Sequence, residues 1–217
     1  MNQQQGIRGV LFDMDGTLVD AFPPIINALN RTLAEYGMAT MTPEAIKRHT
    51  GRGDCGMKSL FGEHKEKAAT RFLELHDADY LKQIKTIEGA EPLLSWLRSK
   101  GVPVAIVTSK GQYRAEAQIE LLGWQDYFRT IVGKMDGRAE KPSPEPVLMA
   151  CETLALNPAE SIMIGDGIAD MKAGSRAGAL TAGIVDSFSR KELEESGASI
   201  CFNSLIDVHE WLKKMLV

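Results

Sequence analysis

Asp13 and Asp15 stand two residues apart, directly after the apolar run Val10-Leu11-Phe12 and before Gly16-Thr17-Leu18. Two carboxylates this close repel each other unless a cation or a shared proton compensates. Such a pair suits a nucleophile with a proton donor beside it. Three further polar elements also follow apolar runs or lie in their loops. They are Thr108-Ser109-Lys110 after Val104 to Val107, Lys141-Pro142 in the loop after Ile131-Val132, and Gly165-Asp166-Gly167-Ile168-Ala169-Asp170 after Ile162-Met163-Ile164. Phosphoryl transfer needs such a set. One carboxylate attacks phosphorus, and a second carboxyl protonates the leaving oxygen and later activates water. A hard, oxygen-preferring cation such as Mg²⁺ lets two anions meet. A hydroxyl, backbone N–H groups and a lysine hold the remaining phosphate oxygens.

These residues need elements that bring them together. After residue 88 the chain alternates apolar runs with helical patterns at about 89–100, 111–123, 144–156, 168–177 and 204–215. Runs at 102–107, 131–133 and 162–164, with weaker ones at 180–185 and 199–202, read as strands. This alternation predicts an α/β fold with a parallel sheet flanked by helices. In such a sheet the four polar elements converge at one edge. Asp166 and Asp170 are four apart, so a helix starting there places both on one side.

Residues 21–84 show no strand pattern. Pro23-Pro24 opens a helical pattern that Gly37 ends, and Thr42-Pro43-Glu44 restarts one with an N-cap and a proline at the first position. Ala68, Phe72, Leu75, Tyr80 and Leu81 follow at loosely helical spacing. The prediction is an all-helical insertion at 21–84 in a core made of 1–20 and 85–217, with hinges near 19–21 and 86–88. Asp20 is expected to cap the first inserted helix. His49-Thr50-Gly51-Arg52-Gly53 reads as a surface turn between two inserted helices, and Arg52 could reach over the cleft to an anionic group.

The bulk numbers exclude several classes. The 217 residues are 44% hydrophobic and 25% charged, which suits an ordinary globular protein. A net charge of -4 without a Lys/Arg-rich run argues against nucleic acid or an anionic membrane as partner. No apolar stretch is long enough to span a bilayer. Cys55, Cys151 and Cys201 have no metal-like spacing and read as small buried residues of a reduced, cytoplasmic protein.

With its motifs in order, the whole chain resembles the haloacid dehalogenase-like hydrolase superfamily. The residues that carry the resemblance are Asp13-Met14-Asp15-Gly16-Thr17, Thr108, Lys141-Pro142 and Gly165-Asp166 with Asp170. The helical insertion sits where that superfamily places its small C1 cap. Asp-Gly-Thr-Leu-Val-Asp at 15–20 and Lys141-Pro142-Ser143-Pro144 look most like the phosphoglycolate phosphatase and β-phosphoglucomutase branch. The resemblance implies a Rossmann-like core and Mg²⁺ as cofactor, with a small phosphorylated metabolite as substrate. It implies Asp13 as nucleophile and metal ligand, and Asp15 as general acid/base with its backbone carbonyl on the metal. Thr108 would bind phosphate with the Ser109 N–H, and Lys141 would bridge phosphate and Asp13. Asp166 would ligate the metal, and Asp170 would do so directly or from the next shell out. Ser109 stands where the branch often has Asn, and Gly167 where Ser or Thr is common. Two other readings accompany the phosphatase: a phosphosugar mutase, and a catalytically silent binding protein on the same scaffold. Thr17, rather than Val or Ile, leans toward the phosphatase.

Overall fold

The computed structural model describes residues 6–53 and 57–216, so Cys55 lies outside the described residues. Strand β1 (Gly9–Phe12) leads through a tight turn into the two-residue β2 (Val19–Asp20). Helices α1 (Phe22–Glu35), α2 (Pro43–Arg52) and α3 (Lys65–Asp79) follow, with a 3-10 segment at Met57–His64 before the last of them. The short β3 (Lys85–Thr86) then precedes α4 (Ala90–Ser99), β4 (Val104–Gly111), α5 (Gln112–Leu121), β5 (Thr130–Lys134) and α6 (Glu145–Thr153). The chain closes with β6 (Ser161–Gly165), α7 (Ile168–Ala177), β7 (Leu180–Ile184), α8 (Arg190–Glu195), β8 (Ile200–Phe202) and α9 (Leu205–Met215).

Six parallel strands form one sheet in the order β5-β4-β1-β6-β7-β8. Strand β1 is central, with Phe12 paired to Ile106 on one side and Ile164 on the other. All four of its residues are buried, as a strand covered on both faces requires. Val10, Phe12, Ile106 and Ile164 pack against α4 and α9 on one face. Leu11, Ala105, Val107 and Met163 pack toward α6 on the other. Among the described residues, no helix is long and apolar enough to cross a membrane.

The three inserted helices bury their own cluster, including Phe22, Leu29, Leu33, Ile46, Phe61 and Phe72. Both ends of α1 follow the expected signals. Asp20 Oδ1 accepts from Phe22 N at 3.3 Å, although Ala21 occupies the cap position itself. Gly37 takes φ +69° just past the helix end. Thr42 caps α2 by accepting from Ala45 N. The two segments expected as hinges pair with each other, which the sequence pattern did not suggest. Strands β2 and β3 pair antiparallel, Val19 with Thr86 and Asp20 with Lys85, so both crossings lie side by side. Two residues per strand are too few to show alternation.

His76 on α3 is 5% exposed, and its ring stacks on Phe72 at 5.6 Å. Its Nε2 is buried with no hydrogen-bond partner among the described residues. Burial, reinforced by nearby Lys110 and Arg114, pushes its pKa down to about 4 from an ordinary 6.5. The folded protein therefore resists a proton that the unfolded chain accepts. Stability from this group is complete above pH 6.5 and is lost as pH falls toward 4. Between pH 7.5 and 5, urea unfolding should show wild type losing about 2 kcal/mol more than His76→Phe. Equal losses in the two proteins would refute the assignment.

Candidate functional site

The strand order reverses direction around β1. The chain steps outward from β1 to β4 and β5, then returns to place β6 on the other side of β1. In open α/β sheets the crevice at such a switch, beyond the carboxyl ends of the strands, is the binding position. Asp13 follows β1 there, and Asp166 follows β6. The Asp13 N–H donates to the Ile164 carbonyl at 2.8 Å, which continues the strand pairing by one residue and fixes where the acid emerges.

The turn after β1 gives the two acids different partners, Lys141 for Asp13 and Lys110 for Asp15. Met14 is fully buried in the core, while Asp13 and Asp15 on either side are only partly buried. Gly16 has φ +90°, and a Cβ there would lie 2.6 Å from Asp166 Oδ2. Only glycine provides that backbone shape and that clearance. The next residue, Thr17, was read from sequence only as a lean toward one reaction over another. Its hydroxyl donates to Asp166 Oδ1 at 2.8 Å and accepts from the Asp166 N–H at 3.1 Å. It thus locks the β1 and β6 loops together. With the partners 149 positions apart, local pattern could not reveal the contact.

Asp13, Asp166 and Asp170 each offer a carboxylate oxygen, all within 4.8 Å of one another. The helix expected at 168–177 forms there, and it does not reach back to include Asp166. Helix α7 begins at Ile168, so Asp166 lies in the preceding loop and Asp170 in the first turn. Asp170 Oδ2 accepts from the Gly167 N–H at 2.9 Å, which turns its other oxygen toward the cluster. Lys141, 3% exposed, donates to Asp13 Oδ1 at 2.8 Å, Asp170 Oδ1 at 2.5 Å and the Val107 carbonyl at 2.8 Å. These three bonds use the whole donor capacity of its ammonium. The Lys141-Pro142 peptide is cis.

The Asp15 carboxylate is held apart from this cluster. Lys110 Nζ donates to Asp15 Oδ1 at 2.7 Å, and burial raises the Asp15 pKa against the opposing pull of Lys110. A carboxyl set this way is easier to protonate than an exposed aspartate. Thr108-Ser109-Lys110 was expected to follow its strand. Instead β4 continues through it to Gly111, with an irregular register after Val107. Thr108 is 6% exposed and adjoins Val107, whose carbonyl receives Lys141. Ser109 beside it is half-buried.

The reading of His49 to Gly53 as a surface turn is also corrected. These residues form the last turn of α2, and Gly53 ends the helix at φ +66°. A Cβ on Gly53 would lie 2.8 Å from the Lys141 carbonyl, and one on Gly167 would lie 2.7 Å from the Gly51 carbonyl. The insertion therefore rests on the two loops that carry Lys141 and Asp166. Arg52 sits at this junction with its side chain exposed. Two ion-pair groups secure the docking. Arg48 reaches Glu192 at 2.6 Å and the Ser187 carbonyl at 2.5 Å. On the opposite side Arg114 grips both oxygens of Asp77, at 2.5 and 3.0 Å.

The electrostatics of the cluster call for a cation. Three carboxylates lie together, and Lys141 contacts two of them, Asp13 and Asp170. Burial, followed by the Asp13 and Asp170 charges, raises the Asp166 pKa well above the usual carboxylate range. Burial and Asp13 raise Asp170 to about 7 despite Lys141. An all-oxygen donor set with surplus negative charge fits Mg²⁺ rather than a thiolate- or imidazole-seeking metal.

Comparison with known proteins identifies the family. Residues 10–184 match the haloacid dehalogenase-like hydrolase family. The chain is 31% identical to a phosphoglycolate phosphatase of Chromobacterium violaceum, covering 95% of this chain and 97% of that one. It is 33% identical to the phosphoglycolate phosphatase of Aquifex aeolicus, over 81% and 84% of the two chains. The structure of a hydrolase from Pseudomonas syringae superposes with a TM-score of 0.82 at 28% identity, covering 97% and 99%. The chain belongs to the haloacid dehalogenase-like hydrolases. Within that family it is an enzyme of the phosphatase class.

Lys141→Met removes the one ammonium between Asp13 and Asp170. Losing one partner of a buried charge cluster should lower the unfolding free energy in EDTA by about 3 kcal/mol. Denaturant melts of the two proteins check this, and a difference below about 1 kcal/mol would contradict it.

Proposed function

We propose that the protein is a Mg²⁺-dependent phosphatase acting on a small phosphorylated metabolite of the phosphoglycolate type, through a phosphoryl group carried on Asp13. The observation that supports it best is the division of labour at the crevice. Lys141 binds Asp13 and Asp170 together, while Asp15 is held outside the cluster on its own lysine. The named activity of the relatives supports the same reading.

In this reading Asp13 is the nucleophile, gripped by the Lys141 ammonium. Its carboxylate oxygen forms a bond to phosphorus as the ester oxygen leaves. Asp15 gives that oxygen its proton, so the alcohol departs neutral. Asp15, now a carboxylate, takes a proton from water as the water oxygen attacks phosphorus. The Asp13–phosphate bond breaks, releasing inorganic phosphate and restoring both acids. Thr108 and the Ser109 N–H hold non-bridging oxygens during both transfers, and Lys141 joins them by exchanging one of its three bonds for a phosphate oxygen. Asp13, Asp166 and Asp170, with the Asp15 backbone carbonyl, would hold Mg²⁺, which supplies positive charge where two anions must approach.

Residues 21–84 act as a cap in this reading, opening and closing about the β2–β3 pair. Arg52 at the end of α2 would meet an anionic group of the substrate. Closure excludes bulk water from the aspartyl-phosphate until the leaving group has gone.

With p-nitrophenyl phosphate and Mg²⁺, Asp13→Asn should lower turnover by about 10³-fold or more, and EDTA should suppress wild-type turnover to a similar floor. Activity persisting in purified Asp13→Asn would refute the nucleophile. A panel of phosphoglycolate, hexose phosphates, nucleotides and pyrophosphate identifies the substrate. Release of an isomeric sugar phosphate instead of inorganic phosphate would favour the mutase. Arg52→Ala should raise KM about tenfold for substrates that carry a second anionic group besides the phosphate, with little change for p-nitrophenyl phosphate.

A further inference from the structure

Lys110 has no assigned part in the chemistry above, yet it is one of the most deeply buried charges in the molecule. Its side chain is 3% exposed, although it sits in the β4 segment next to the crevice. Its ammonium makes two hydrogen bonds to side chains, to Asp15 Oδ1 at 2.7 Å and to Gln118 Oε1 at 2.8 Å. Gln118 is fully buried on α5, and its Nε2 donates to the Tyr80 carbonyl at 3.1 Å. Tyr80 is the residue just past α3, where the inserted helices return toward β3 and the core. A continuous path, buried at its centre and partly buried at both ends, therefore runs from the exit of the insertion, through Gln118 and Lys110, to one oxygen of Asp15. Among the described residues, the other Asp15 oxygen has no hydrogen-bond partner.

We propose that Lys110 and Gln118 are positioning residues that tie the orientation of Asp15 to the seating of the inserted helices at Tyr80. The inference rests on the proposed role of Asp15 as proton donor and acceptor. A glutamine amide is planar, so its oxygen and nitrogen move together. With the Tyr80 turn seated, the nitrogen is occupied by the carbonyl and the oxygen is fixed toward Lys110. Lys110 then holds Asp15 Oδ1 and leaves Oδ2 for the leaving oxygen and for water. When the Tyr80 turn lifts, the amide loses its anchor, and Lys110 loses a fixed acceptor. Arg114 and Asp77 make the seating firm, since their paired bonds join α5 to the last turn of α3 one helical turn from Gln118. Proton transfer is thereby set in place only when the insertion is docked.

A purely structural ion pair would affect stability and every substrate alike. A positioning role affects the steps that need Asp15. Attack on p-nitrophenyl phosphate expels a good leaving group and needs little help from a proton donor, whereas an alkyl phosphate does need it. Rapid-mixing kinetics on the Mg²⁺-loaded full chain separates the cases, with p-nitrophenyl phosphate and glycerol phosphate as probes. For Lys110→Met we expect a stoichiometric burst of p-nitrophenolate at close to the wild-type rate. Steady turnover should then be about 100-fold slower, because water activation by Asp15 is impaired. With glycerol phosphate the same variant should show no burst and a loss of at least the same size in kcat.

Gln118→Leu keeps the lysine and breaks only the link to Tyr80. It should slow glycerol phosphate turnover about tenfold while sparing the burst. If Lys110→Met does not fold, this second variant decides. Equal slowing of burst and steady state, or unchanged kinetics in Gln118→Leu, would overturn the proposal. Wild type without Mg²⁺-dependent turnover on either probe would instead overturn the phosphatase reading beneath it.

Discussion

The bridge made by the Lys141 ammonium between Asp13 and Asp170 is the interaction on which the crevice depends. It joins three separate loops. Asp13 follows β1, Asp170 opens α7 after β6, and Lys141 comes from the loop after β5. The Val107 carbonyl draws β4 into the same contact. Every strand next to the switch in the sheet thus contributes to one buried ammonium. Without it, like charges in a low-dielectric setting would drive the loops apart or force protonation.

The fold makes this concentration of charge tolerable. An apolar β1 buried on both faces can end abruptly in acids because its neighbours end at the same level. Met14 anchors the turn in the core, and Gly16 allows Asp166 to approach where a side chain would collide. Thr17 then gives Asp166 both a donor and an acceptor. Asp13 and Asp170 share one lysine, Asp166 beside them is held by Thr17, and the three remain short of positive charge. The fourth, Asp15, is matched one-to-one with Lys110. This asymmetry separates a cluster short of positive charge from a carboxyl with its own counter-ion two residues away.

Much of this was legible in the chain itself. The acids after Phe12, the lysine before Pro142 and the Asp166–Asp170 spacing carry their chemistry in local pattern, and the alternation after residue 88 carries the sheet. The helical insertion was equally plain, because Gly37, Thr42 and Pro43 are punctuation with a local cause. Contacts between distant segments were not legible. Thr17 looks like any turn threonine until Asp166 lies across from it. Lys110 looks like a strand-end lysine until Gln118 and Asp15 surround it. Asp77 and Arg114 look like ordinary helix-surface charges until docking brings them together, which buries Arg114 and leaves Asp77 exposed. The β2–β3 pair was too short to read, and the last turn of α2 was mistaken for a loop because Gly51 and Gly53 are breakers by composition. There the glycines serve close approach to the Lys141 and Asp166 loops rather than a turn alone.

The central claim is that Asp13, rather than water, takes the phosphoryl group. Acid-quenching the Mg²⁺-loaded protein during turnover, followed by peptide mapping by mass spectrometry, tests this directly. The account predicts a phosphoryl adduct on the peptide holding Asp13, located to that residue and absent in Asp13→Asn. Turnover with no adduct at any quench time, or an adduct on another residue, would contradict it.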